Sequence, residues 1–171
     1  MLRPQASWAL HHAPHSPPPP PAGSRVEALG LDVISLPRLS RVLERSPRLF
    51  RRVCGASERL EWVGSTGAGL AWAAALWVSK EASVKCLGTG FWREGLDWPD
   101  LEPGGEALQQ RLSQGSAWSE ARVWGAWSEW SEARLKGSAL VNAQGSRLLC
   151  CARLDAQHAW GYAYLVAPNH H

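Results

Sequence analysis

Trp62-Val63-Gly64-Ser65-Thr66-Gly67-Ala68-Gly69-Leu70-Ala71-Trp72-Ala73-Ala74-Ala75-Leu76-Trp77-Val78-Ser79 runs for 18 residues without a charge, between Glu61 and Lys80. Its length suits a membrane span, but its chemistry does not. Only Val63, Leu70, Leu76 and Val78 favour insertion, whereas Gly64, Ser65, Thr66, Gly67 and Gly69 oppose it. The reading that follows is a Gly-rich turn leading into a buried Ala/Trp helix.

The same turn carries a resemblance. Val63 to Ala71, the Ala-rich helix and then Val84-Lys85-Cys86-Leu87 look like the strand, turn, helix and strand of dinucleotide-binding domains. In that family the glycines allow a tight turn and a close approach to pyrophosphate at the helix N-terminus. Here Thr66 stands in place of the middle glycine and Gly88 in place of the acid that ends the second strand. Leu70 stands where a Walker A loop needs lysine.

N-terminal to this stretch, Leu36, Leu39, Leu43, Phe50 and Val53 follow a four-three spacing, with Ser46 filling the gap. Arg38, Arg41, Arg45, Arg48 and Arg52 repeat the spacing one position away, which sets a guanidinium row beside an apolar face. Pro47 interrupts a single helix, while Ser46-Pro47 is a sound restart, so two short helices are predicted. Such an element can pack on its own domain, lie on anionic lipid, grip phosphate or dock into a partner's groove. Further upstream, prolines occupy seven positions before residue 22, five of them in the run Pro17–Pro21. That composition predicts polyproline II spacer rather than packed structure.

C-terminal to the stretch, Gly88, Gly90, Gly95, Pro99, Pro103, Gly104 and Gly105 punctuate a loop, and Glu106 to Gln114 reads as a short helix. Trp118-Ser119-Glu120-Ala121-Arg122 then recurs as Trp130-Ser131-Glu132-Ala133-Arg134. At the seam, Trp127-Ser128-Glu129-Trp130-Ser131 is similar to the WSXWS box of class I cytokine receptors, where tryptophans interleave with arginines. That resemblance implies a fibronectin-type sandwich and a receptor-like binding module, whereas Ala, Glu, Arg, Leu and Gln across 106–136 favour helix. In the tail, Trp160, Tyr162, Tyr164 and Val166 alternate with Gly161, Ala163 and Leu165, a strand pattern. Arg147 to Leu154 and Ala139-Leu140-Val141 read as neighbouring strands, with a turn at Ala143-Gln144-Gly145-Ser146.

The fold predicted is mostly α with a small C-terminal antiparallel β element (α+β), after a disordered Pro-rich N-terminus. Residues 1–35 form the disordered segment and 36–54 the basic amphipathic helical segment. Residues 55–137 form an Ala/Trp-rich, loosely packed helical region with a Gly/Pro loop at 88–105, and 138–168 hold short strands.

Composition is skewed toward residues with G/C-rich codons: fifteen Arg stand against three Lys, and eleven Trp against two Phe and two Tyr. The core is thin in Ile and Phe, so loose packing is expected. Cys54, Cys86, Cys150 and Cys151 show neither zinc spacing nor a disulfide framework, which fits a reducing interior. No catalytic, metal-binding or nucleotide-binding motif is intact, so the expectation is no enzyme, no cofactor and no metal. The function expected is that of a lineage-restricted small protein from a G/C-rich reading frame, acting as a protein-interaction or regulatory binder. Its interaction surface would be Arg38, Arg41, Arg45, Arg48 and Arg52, or Trp118, Trp124, Trp127 and Trp130. The alternatives are a cytokine-receptor-like module at 127–131 and a degenerate dinucleotide-binding βαβ around Gly64–Gly69. The partner expected is another protein, with no specific nucleic acid and no membrane span. The compartment expected is intracellular, cytoplasm or nucleus, without a signal peptide.

Overall fold

A computed structural model describes residues 19–55, 58, 67–89, 95–103 and 131–168. Its frame is a four-stranded antiparallel sheet in the order β1-β6-β5-β3. The strands are β1 (Val26–Ser35), β3 (Ser131–Glu132), β5 (Arg147–Leu154) and β6 (His158–Val166). A smaller ladder pairs β2 (Leu101–Glu102) with β4 (Arg134–Leu135). The helices are α1 (Leu36–Arg45), α2 (Pro47–Val53), the long α3 (Gly67–Cys86) and the short α4 (Gly137–Ala143). Trp98–Asp100 forms a 3-10 turn, closed by a capping box between Asp97 and Asp100.

Helix α3 lies across β1, β6 and β5, and small residues let it come close. A methyl group on Gly30 would run into the Ala82 carbonyl oxygen and reach 2.7 Å from the Cys86 nitrogen. One on Gly161 would meet the Val78 carbonyl oxygen and lie 2.9 Å from the Ser79 nitrogen. Helix backbone and strand backbone therefore touch at two glycines on adjacent strands, which fixes the rotation of α3 about its axis. Ala152, Ala159 and Ala163 continue this small-residue floor and are buried. Leu36, Leu39 and Leu43 of α1 pack with the first half of α3, where Phe50 meets Trp72 edge-on at 5.6 Å. That geometry adds about 0.5–1.5 kcal/mol to the burial itself.

Several expectations are corrected here. The architecture is α+β around a four-stranded sheet, and not mostly α with a small β appendix. Residues 26–35, expected in a disordered N-terminal segment, form the longest strand. The alternation there is inverted: Leu29, Leu31 and Val33 face outward and are exposed, while Gly30 and Asp32 face the helix. Val84-Lys85-Cys86, expected as the second strand of a dinucleotide fold, belongs to α3, and the sheet pairings are all antiparallel. Ala139-Leu140-Val141 is helical rather than extended, because Gly137 at φ 50° and Gln144 at φ 51° bound a single α-helical segment. Residues 131–135, expected to be helical, form β3 and β4. The expected helix at 106–114 and Trp118, Trp124, Trp127 and Trp130 lie outside the described residues.

Candidate functional site

The glycine contacts determine which side chains α3 presents on each flank. On one flank Glu81 and Lys85, one turn apart, face Asp32 of β1. Lys85 Nζ lies 2.7 Å from Asp32 Oδ1 and donates also to the Leu31 carbonyl at 3.0 Å. Burial raises the pKa of Glu81, the Asp32 charge raises it further, and Lys85 offsets part of this. Two carboxylates thus share one half-exposed ammonium at the seam between helix and sheet.

This donor set has a definite chemistry. Among the described residues no group of three or more His, Cys, Asp or Glu side chains gathers to enclose a metal. A hard divalent cation of the magnesium type does not need such a cage, since one or two carboxylates suffice when water and substrate phosphates complete its shell. Asp32 and Glu81 could hold such an ion, with Lys85 beside it as a second positive charge for a phosphate. Thiol chemistry has no comparable support. The four cysteines are buried, and burial pushes the Cys86 thiol up to about 11 and that of Cys151 upward as well.

The opposite flank of α3 carries Lys80, which is wholly buried against Glu58 at 2.7 Å. Beyond it lies Glu102, also buried, held by Lys136 at 2.7 Å and Arg134 at 3.7 Å. The expected arginine row is exposed throughout: Arg38, Arg41 and Arg45 on α1, and Arg48 and Arg52 on α2, with Arg51 beside them. Among the described residues no hydrogen bond or ion pair connects it with the carboxylate pair. Asp32, Glu81 and Lys85 are absent from the expected site residues; the signal for Glu81 and Lys85 is the abrupt end of the 18-residue uncharged run in Lys80-Glu81 and then Lys85, and Asp32 has none.

The profile of a family described as the 4′-phosphopantetheinyl transferase superfamily matches residues 28–129, which include all three of these side chains. The holo-[acyl-carrier-protein] synthase of Alkaliphilus metalliredigens is 34% identical over 77 residues, 45% of this chain and 61% of that protein. That of Exiguobacterium sibiricum is 38% identical over 88 residues, 51% of this chain and 68% of that protein. The chain thus spans less than two thirds of the Alkaliphilus protein. Among solved structures, the holo-ACP-synthase of Plasmodium yoelii superposes with a TM-score of 0.58 at 18% identity, covering 86% of this chain and 99% of the other. The Helicobacter pylori holo-[acyl-carrier-protein] synthase in complex with coenzyme A gives 0.57 at 17% identity, covering 81% and 99%. These matches overturn the expectation of a lineage-restricted binder without enzymatic activity. They also displace the receptor-like module and the degenerate dinucleotide fold, since the matched family has neither architecture.

Proposed function

The chain belongs to the 4′-phosphopantetheinyl transferase superfamily, and from that premise we propose that it transfers the 4′-phosphopantetheinyl group of coenzyme A to an acyl carrier protein. The observation that carries the proposal is the Asp32–Glu81 pair with Lys85 between helix and sheet. In the reaction, a hydroxyl oxygen of the carrier forms a bond to the phosphorus that bears pantetheine. The pyrophosphate P–O bond breaks, adenosine 3′,5′-bisphosphate leaves, and the hydroxyl proton is released. The chain's contribution is positioning and charge, as is general for phosphoryl transfer. Lys85 offers an ammonium to the phosphate oxygens on which negative charge gathers. Asp32 and Glu81 orient what binds between them. A divalent cation there would neutralise the pyrophosphate and help the bisphosphate leave.

The partner-facing part of this reading concerns α1 and α2. Their exposed arginines suit an acidic protein surface, which supports docking of the carrier on the row Arg38, Arg41, Arg45, Arg48 and Arg52. Four buried thiols fit a reducing compartment, and no helix among the described residues is long and apolar enough to cross a membrane.

The test is to incubate the purified chain with magnesium, coenzyme A and a bacterial apo acyl carrier protein, then weigh the carrier by intact-mass spectrometry. Gain of one phosphopantetheinyl group is expected, with Asp32→Asn and Glu81→Gln both inactive. Arg41→Glu should raise the KM for the carrier and leave that for coenzyme A unchanged. No transfer by the wild-type chain would sink the reading.

A further inference from the structure

Lys80, an ionisable side chain, has no exposed surface. Its ammonium nitrogen lies 2.7 Å from the Val53 carbonyl oxygen, 2.7 Å from Glu58 Oε2 and 3.0 Å from the Trp98 carbonyl oxygen. An ammonium has three donors, so three acceptors use it completely. The three come from separate parts of the chain. Val53 is the last residue of α2, Glu58 follows shortly after and also accepts from the Gly55 N–H at 2.6 Å, and Trp98 opens the 3-10 turn. Trp77, one turn earlier on α3, meets the Trp98 ring at 4.9 Å with the planes tilted by 49° and supports the same junction.

Stability alone does not account for this arrangement. Burial pushes the pKa of Lys80 down and that of Glu58 up, so desolvation outweighs the attraction within the pair. Glu58 Oε1 is buried without a hydrogen-bond partner, a further penalty. Apolar side chains of matching volume commonly replace such pairs without loss of stability. What apolar side chains cannot do is hold two carbonyl groups and a carboxylate at fixed points around one atom. Lys80 does so at the residue directly before Glu81.

We propose that Lys80 is a positioning residue that ties the arginine-bearing α1–α2 arm and the Trp98 turn to the turn of α3 carrying Glu81, keeping a docked carrier protein in register with the reacting centre. The proposal rests on the transferase reading. It treats the arm that receives the carrier and the helix that holds the chemistry as one rigid unit, braced at the Lys80 nitrogen in addition to the apolar packing of Leu36, Leu39, Leu43 and Phe50 on α3. Coenzyme A, which engages the opposite flank of α3, is unaffected by the joint.

The experiment compares wild type, Lys80→Met and the double variant Lys80→Met/Glu58→Leu. It measures thermal melting, amide hydrogen exchange, and KM for magnesium–coenzyme A and for a bacterial apo acyl carrier protein separately. Lys80→Met alone leaves the Glu58 carboxyl buried without its partner, so the double variant, which removes both ionisable groups, carries the decision. It is expected to melt near wild type, yet to show faster exchange in residues 47–55 and 98–102. Its KM for the carrier should rise on the order of tenfold, within the range that small misplacements produce, while KM for coenzyme A stays within about twofold. If carrier KM returns to the wild-type value together with melting temperature, Lys80 is structural only and the proposal fails. If both KM values rise equally, the coupling is not specific to the carrier arm and the proposal fails too. Lack of transfer by the wild-type chain would instead be a failure of the transferase reading. Hydrogen exchange still judges the tie in that case, and unchanged protection of 47–55 in the double variant overturns it.

Discussion

Lys80 and Lys85 sit five residues apart on α3, and each holds a carboxylate at 2.7 Å, but one side chain is 0% exposed and the other 51%. The chemistry of the two contacts is the same, so burial alone separates their roles. Lys80 is shut off from bulk solvent, and its three acceptors come from separate segments of the chain. Its contact is permanent. Lys85 lies in a screened, half-wet position where an ion pair contributes little, so it can leave Asp32 for a phosphate at small cost. One helix thereby carries a fixed cation on one flank and an exchangeable one on the other, and the glycine contacts under it set both.

The comparison is broken most completely by removing what the two lysines share. Gly30→Ala or Gly161→Ala places a methyl group against the Ala82 or Val78 carbonyl of α3, which is backbone and cannot rotate away. Ordinary overpacking costs about 1–3 kcal/mol, and a clash with backbone on this scale should exceed that range. We expect loss of a cooperative melting transition by circular dichroism; a normal transition would show that α3 can slide, and both flanks with it. Next in size is Lys80→Met, which leaves the buried Glu58 carboxyl without its ammonium partner. Removal of one partner from a buried pair costs roughly 3–5 kcal/mol, read as a lower urea midpoint at neutral pH. Lys85→Met should change that midpoint by no more than about 1 kcal/mol, as is usual for exposed pairs, while transfer falls on the order of a hundredfold. A loss of stability from Lys85→Met matching that from Lys80→Met would erase the distinction.

Parts of this arrangement are legible in the sequence and parts are not, for physical reasons. Strand β6 announces itself because Trp160, Tyr162 and Tyr164 alternate with small residues. The break between α1 and α2 does so because Pro47 cannot continue a helix. Strand β1 stays hidden because its apolar residues face out and glycine and aspartate face in, the reverse of a half-buried strand. Asp32 is concealed with it. The codon bias that suggests weak selection for folding is absorbed by the architecture, since close approach of α3 calls for the very Ala and Gly that the bias supplies. The three lysines hold the signal that the fifteen arginines obscure. Lys80, Lys85 and Lys136 are each placed on a carboxylate at 2.7 Å. At Lys80 a planar guanidinium would not fit the three converging acceptors that a compact ammonium serves.

The smallest expected effect has the opposite sign and concerns Glu81, whose folded pKa is raised by burial first, by Asp32 next, and offset in part by Lys85. The folded chain therefore holds this proton more tightly than the unfolded chain does. Its contribution to stability is present below the ordinary carboxylate range and is lost as pH rises through the raised folded value. At neutral pH, without added cation, Glu81→Gln removes an ionised group that the fold disfavours. Its melting midpoint should lie slightly above wild type, and the two curves should converge as the pH is lowered into the carboxylate range. Transfer activity should be lost in the same variant, so that stability and function move in opposite directions at one atom. Lys80→Met moves stability and carrier docking in the same direction. A lower neutral-pH midpoint for Glu81→Gln would mean that Lys85 outweighs burial, and that the exchangeable flank is held together by the same kind of pair as the fixed one.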